Sequence, residues 1–100
     1  MVEVRQTERF VRWLEGLRDL RGRAKVLARI GRLIGGNPGD VRPVGSGVSE
    51  LRINYGPGYR VYYVQRGTTL IILLAGGDKS SQVKDIDEAL LLAANLAEET

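Results

Sequence analysis

Apolar residues recur along this chain with two periods. Val2-Glu3-Val4-Arg5-Gln6 alternates apolar and polar positions, which predicts a short edge strand. Phe10, Trp13, Leu14 and Leu17 then follow at helical spacing. They predict a helix from about Glu8 to Asp19, with Trp13 in its core-facing stripe. Thr7 is its expected N-cap, and Glu8 falls in the first turn, where the helix dipole favours an anion. Past a link at Arg18–Gly22, a second helix is expected over Arg23 to Ile34. Ala24, Leu27, Ile30 and Ile34 are expected to face the core, with Arg23, Lys25, Arg29 and Arg32 mostly turned away. Two consecutive helices with a short link should form an antiparallel hairpin on one face of a sheet. Gly35 is expected to cap the second helix in the left-handed conformation, and Pro38 stops it resuming. Val41 to Gly47 carries Pro43 and Gly45-Ser46-Gly47, the marks of an edge or bulged segment.

The period changes to two over Ser49 to Gln82. Leu51, Ile53 and Tyr55 share one strand face, and Glu50, Arg52 and Asn54 the other. Gly56-Pro57-Gly58 predicts a tight turn. Beyond it, Tyr59, Val61 and Tyr63 continue the apolar face, while Arg60 and Tyr62 continue the polar one. Pairing Tyr55 with Tyr59 sets Asn54 opposite Arg60 and Arg52 opposite Tyr62. After a turn at Gly67-Thr68, Leu70 to Leu74 is apolar at every position, as in an interior strand covered on both faces. Ser80 or Ser81 is the expected N-cap of a last helix. Its stripe of Val83, Ile86, Leu90, Ala93 and Ala94 is widened by Ala89, Leu91, Leu92, Leu96 and Ala97. A stripe so wide suggests either deep burial or a second partner. The fold class is α+β: a strand, two helices, a three-stranded antiparallel meander and a C-terminal helix. With 100 residues the chain reads as one domain, spanning 1–100.

Composition narrows the chemistry. The chain has no cysteine and no histidine, which removes thiolate sites, the commonest metal ligand and the commonest general acid/base. No metal site or cofactor is expected, because the Gly-rich segments lack a GxxxxGK[ST] or strand–GxGxxG–helix context. No signal segment and no membrane-length apolar run is present, so a soluble, cytoplasmic protein without membrane contact is expected. The net charge of +3 is uneven. Residues 1–36 carry nine basic groups against four acids, and residues 80–100 one against five. A basic body favours an anionic partner, although for the N-terminal excess alone a solvated helix surface is the simpler reading.

Arg52, Arg60 and Tyr62 therefore share one sheet face, and Lys79 stands where the apolar strand ends. A guanidinium forks onto two phosphate oxygens and stays charged, so Arg52 and Arg60 are candidate phosphate-binding groups. Lys79 is the candidate for proton transfer. Glu50 shares the face, either as a base or as an ion-pair partner that holds an arginine. Tyr62 is a candidate for stacking on a base or for donating a proton. Ser80 and Ser81 suit helix capping better than nucleophilic attack, since no base partner is identifiable.

The runs SELRINYGPGYRVYY and LLAGGDKSSQVKDIDEAL resemble the phage-derived, HigB-like branch of the RelE/ParE toxin superfamily. The resemblance covers nearly the whole chain. It implies a compact β-α-α-β-β-β domain and the toxin of a type II toxin–antitoxin pair. Such a toxin forms a hetero-complex with a small helix-turn-helix antitoxin. The resemblance further implies cleavage of messenger RNA at the ribosome by attack of a ribose 2′-hydroxyl on the adjacent phosphate, without a metal. On that reading Arg52, Arg60 and Lys79 are catalytic, and Glu50, Tyr62, Ser80, Ser81 and Gln82 contact RNA. Some relatives use histidines or a C-terminal tyrosine; this chain has no histidine and no tyrosine after Tyr63. The alternative within the superfamily is a non-catalytic ParE-like inhibitor of DNA gyrase, which does not need a basic cluster on the sheet.

Overall fold

The computed structural model describes residues 2–99, with side chains through residue 96. The elements run β1 (Glu3–Gln6), α1 (Glu8–Glu15), α2 (Leu20–Ile34), β2 (Val41–Gly45), β3 (Val48–Arg52), β4 (Arg60–Arg66) and β5 (Leu70–Gly77). A 3₁₀ turn (Lys79–Ser81) then leads into α3 (Gln82–Glu99). One five-stranded mixed sheet has the order β1-β5-β4-β3-β2. β1 is the parallel edge strand on β5, and the other pairings are antiparallel. The α+β class is as expected. Within the segment expected to be edge or bulged, residues 41–45 form a paired edge strand, bulged between Pro43 and Gly45, and the C-terminal helix α3 lies over the second face of the sheet.

Alternation along the strands divides the core in two. Leu51, Ile53, Tyr59, Val61, Tyr63, Ile71 and Leu73 pack under Phe10, Leu14, Val26, Ile30 and Leu33 of the helical hairpin. Val48, Tyr62, Val64, Ile72, Leu74 and Ala75 pack on the other side against Ala89 of α3. β5 thus has both faces covered, which its unbroken apolar run requires. An extra residue between the Tyr62–Ala75 and Tyr63–Leu73 pairs turns Leu74 and Ala75 to the same face.

The β3–β4 register differs from the expected one. Arg52 pairs with Arg60, and Glu50 with Tyr62. Residues 53–59 form a wide loop in which Ile53 N–H donates to Tyr59 O at 2.9 Å and Gly58 N–H to Tyr55 O at 3.1 Å. The slip is two residues, so every side chain keeps its face. A one-residue slip would have reversed the whole pattern.

α1 stops at Glu15, and Asp19 starts α2 by accepting the Gly22 N–H at 2.9 Å. The expected core stripe of α2 is corrected. Gly22, Val26, Ile30 and Leu33 face inward, while Ala24, Leu27 and Ile34 are exposed. The helix is apolar on two sides, and tertiary partners choose between them. Gly22 admits the Tyr59 ring, which would collide with a Cβ there. Arg29 reaches over to loop carbonyls. Leu20, Ala24, Leu27, Gly31 and Ile34 are left as an exposed outer stripe without a partner among the described residues. The left-handed residue after α2 is Gly36 (φ 90°), not Gly35 (φ −76°). Asp78, rather than Ser80 or Ser81, caps the 3₁₀ turn that leads into α3, accepting the Ser80 N–H at 2.8 Å. Along α3, Asp85 and Ala89 point inward and Ile86, Leu90, Leu92, Ala93 and Leu96 are half-buried. Val83 and Ala94, both expected inside, are exposed. Ala97 lies outside the residues whose side chains are described.

Candidate functional site

Glu50 is the electrostatic centre of the sheet face beneath α3. It is fully buried. Its Oε1 accepts from Arg60 Nη1 at 3.1 Å, and Arg52 Nε stands 3.8 Å from the same oxygen. Its Oε2 accepts from Tyr62 Oη at 3.0 Å and from Gln82 Nε2 at 2.9 Å. Three donors thus converge on one buried carboxylate, which offsets the cost of taking that charge out of water. Arg60 is itself buried (6% exposed), and its Nε has no partner. Two cross-strand pairs supply four of the members, Glu50 with Tyr62 and Arg52 with Arg60, and Gln82 comes from the first turn of α3.

Tyr62 is fully buried, and its hydroxyl titrates far above the ordinary range because of burial first and the Glu50 charge second. It is a neutral donor. Its expected stacking on a base does not hold, because α3 covers the ring. Glu50 is likewise set behind the surface, where it orients Arg60, and the half-buried Gln82 holds its second oxygen.

Arg52 and Arg60 line a cleft of about 370 Å³ together with Asn54, Gly58, Tyr59 and Lys79. Arg52 is one-third exposed, and Lys79 is exposed. The 3₁₀ turn is tied to the β3–β4 loop by Lys79 N–H donating to Pro57 O at 3.4 Å. Gly58 turns the loop with φ 79°, a conformation that favours glycine, and a Cβ there would lie at ordinary contact distance from Lys79 Cβ. The three expected catalytic residues therefore border one cavity. Ser80 and Ser81 do not join it. Their hydroxyls donate to Asp78 Oδ1 and Asp85 Oδ2, each at 2.5 Å, and Ser81 faces a separate cavity.

One positioning residue was not among those expected. Arg29 Nη1 donates to Arg52 O at 2.6 Å, and its Nη2 donates to Pro38 O at 2.8 Å and Asp40 O at 3.3 Å. Arg52 N–H also donates to Asp40 O, at 3.0 Å. The 36–40 loop and the end of β3 are clamped together behind the cleft. The signal was available: Arg29 stands on the inward side of α2 once Val26, Ile30 and Leu33 are taken as its stripe.

Three cations thus meet around one cleft that no carboxylate of the described residues lines, with Glu50 sequestered behind it. Such a cleft is built to hold an anion. Among the described residues no group of three or more His, Cys, Asp or Glu side chains could hold a metal ion, and no helix is long and apolar enough to cross a membrane. A family model described as phage-derived protein Gp49-like (DUF891) matches residues 12–97. The chain belongs to the phage-derived Gp49-like family. This family is associated with addiction-module killer proteins. The chain is similar to a Haemophilus influenzae protein described as an uncharacterized protein. That protein is 50% identical over 95 residues, covering 95% of this chain and 96% of its own. No solved structure matches the chain significantly.

Proposed function

We propose that this Gp49-like protein is the toxin of a type II toxin–antitoxin pair and that it cleaves messenger RNA with cationic side chains. The observation that carries the reading is the convergence of Arg52, Arg60 and Lys79 on one cleft, with Arg60 aligned by a buried carboxylate. In the proposed reaction a ribose 2′-oxygen attacks the neighbouring phosphorus and the P–O5′ bond breaks. The products are a 2′,3′-cyclic phosphate and a 5′-hydroxyl. Arg60 and Arg52 stabilise the charge on the non-bridging oxygens, since preorganised donors act most strongly where charge develops. Lys79, exposed at the rim, moves a proton between an attacking or leaving oxygen and solvent.

Partner recognition is assigned to a different surface. α2 carries five basic residues and no acid. Its outer stripe Leu20, Ala24, Leu27, Gly31, Ile34 repeats at alternating spacings of four and three, the seam of a helix–helix contact. A second copy would set cations against cations across that seam. The occupant we propose is an amphipathic helix of the antitoxin with acidic residues flanking its apolar positions.

The test is induced expression with growth curves and mapping of transcript ends. Arg52→Ala and Lys79→Ala are chosen because neither side chain is buried. Each is expected to lower cleavage by about 10²–10³-fold and to relieve growth arrest at unchanged melting temperature. Lys84→Ala, an exposed lysine outside the cleft, should remain toxic. Full toxicity of both cleft variants rejects the site. Intact transcripts accompanied by a DNA-damage response reject RNA cleavage in favour of gyrase inhibition.

A further inference from the structure

A second cavity, of about 510 Å³, lies on the other side of the Asp78–Ser81 turn. Its walls include Arg12, Trp13, Gly76, Asp78, Ser81 and Asp85. The end of β5 is built to make it. A Cβ on Gly76 would overlap the Trp13 ring, and one on Gly77 would overlap the Asp85 carboxylate. The two glycines therefore let an indole and a carboxylate sit directly against the strand backbone, one on each side. Trp13 is half-buried and held in place by Phe10, with centroids 5.9 Å apart, and by the edge of Tyr59, at 6.2 Å.

Asp85 is unusual among the acids of the chain. It is 5% exposed and has no salt bridge among the described residues. Its one side-chain partner is Ser81 Oγ. An ionised carboxylate has about four acceptor positions, so one hydroxyl leaves it with unused capacity. Arg9 at the wall is paired with Glu88, whereas Arg12 is exposed and only 3.9 Å from an equally exposed Glu8.

We propose that this cavity is a nucleobase subsite selective for guanine. A planar aromatic wall suits any base, but an acceptor-only carboxylate does not. Guanine presents two adjacent donors, N1–H and the N2 amino group, to a carboxylate. Adenine, cytosine and uracil each place an acceptor next to their donor, which would face Asp85 unpaired. Arg12 is placed to meet the nucleotide's phosphate. The inference rests on the RNA-cleaving reading in one respect: the turn that carries Lys79 into the first cleft carries Asp78 and Ser81 into the second, so a strand held at its phosphate can offer a neighbouring base here.

Trp13 is the single tryptophan of the chain, so its fluorescence reports on the cavity without any measurement of cleavage. The experiment titrates the full chain with guanosine, adenosine, cytidine and uridine 5′-monophosphates. Guanosine monophosphate is expected to quench Trp13 saturably with a Kd of about 1 mM or tighter. The other three should bind about tenfold to a hundredfold more weakly. Asp85→Asn should erase the discrimination. Arg12→Ala, an exposed change that leaves folding intact, should weaken the nucleotide but not free guanosine. Equal quenching by guanosine and adenosine monophosphates, no quenching by any of them, or an Arg12→Ala variant indistinguishable from the parent would each overturn the proposal. Lys79→Ala is expected to keep guanine binding, so failure of the cleavage reading and failure of this subsite give different results.

Discussion

Glu50→Gln isolates the charge at the centre of the network. Glutamine has nearly the same shape, but it replaces one acceptor by an amide that donates. Glu50 Oε1 meets Arg60 Nη1, and its Oε2 meets Tyr62 Oη and Gln82 Nε2, all donors. Turned toward Arg60, the new amide N–H faces a group that can only donate; turned the other way, it requires Tyr62 Oη and the Gln82 amide to reorient as acceptors, and in both cases Arg60 becomes a buried cation without its Glu50 counter-charge. Removing one partner of a buried ion pair costs about 3–5 kcal/mol. Arg60 and Glu50 side chains are 7% and 1% exposed, so solvent screening reduces that little. A domain of this size has a total stability of about 5–15 kcal/mol, and each kcal/mol moves its melting temperature by roughly 4–8 °C. The expected loss is therefore roughly 12–40 °C. Urea unfolding followed by Trp13 fluorescence gives the free energy, with an unchanged m-value showing that the same surface unfolds. The double variant Glu50→Gln/Arg60→Met removes the orphaned charge and is expected to recover at least half of the loss. A single-variant cost below about 1 kcal/mol, the value of an exposed pair, would refute the idea that α3 seals this network from water.

Two further expectations follow from other parts of the molecule. Tyr62, Tyr63 and Tyr59 all titrate above the ordinary phenol range, chiefly through burial, with the charges of Glu50 and Asp19 adding to it at Tyr62 and Tyr59. A folded pKa raised above the unfolded value near 10 leaves stability intact below about pH 10 and removes it as pH climbs toward the folded values, by up to about 1.4 kcal/mol per pH unit for each group. Urea midpoints across pH 8–12 should show that fall, less steep in Tyr62→Phe; a midpoint independent of pH above 10 contradicts it. Leu27, 48% exposed on the outer stripe of α2, should tolerate glutamate with a stability change within about 0.5 kcal/mol. The same change should weaken binding of the antitoxin by about tenfold or more in calorimetric titration, whereas unchanged affinity would place the partner elsewhere.

The strands were legible in the sequence because their period of two survives any even slip. Leu51, Ile53, Tyr59, Val61 and Tyr63 were assigned to the right face although the pairing was two residues off. Arg52, Arg60 and Lys79 were brought to the same region for the same reason, since parity and strand order suffice to place them. The helices were less legible. α2 is apolar on two sides, and nothing local chooses between Val26-Ile30-Leu33 and Leu20-Leu27-Ile34. The choice comes from Gly22 accepting the Tyr59 ring and from Arg29 reaching the carbonyls of Pro38, Asp40 and Arg52, contacts between residues far apart in the chain.

The sequence by itself determined the element order, the two faces of the sheet and the residue types available for chemistry, because alternation, turn residues and the absence of histidine and cysteine are local or compositional facts. Only the tertiary structure decided that Tyr62 and Glu50 stand behind the site and not in it. Whether a polar strand face meets water or a helix depends on where α3 lies, and α3 is placed by a bulge that turns Leu74 and Ala75 together toward Ala89. Burial then changes what a residue can do: the same carboxylate that would be an exposed base on an open sheet becomes, under α3, the anchor that aims an arginine.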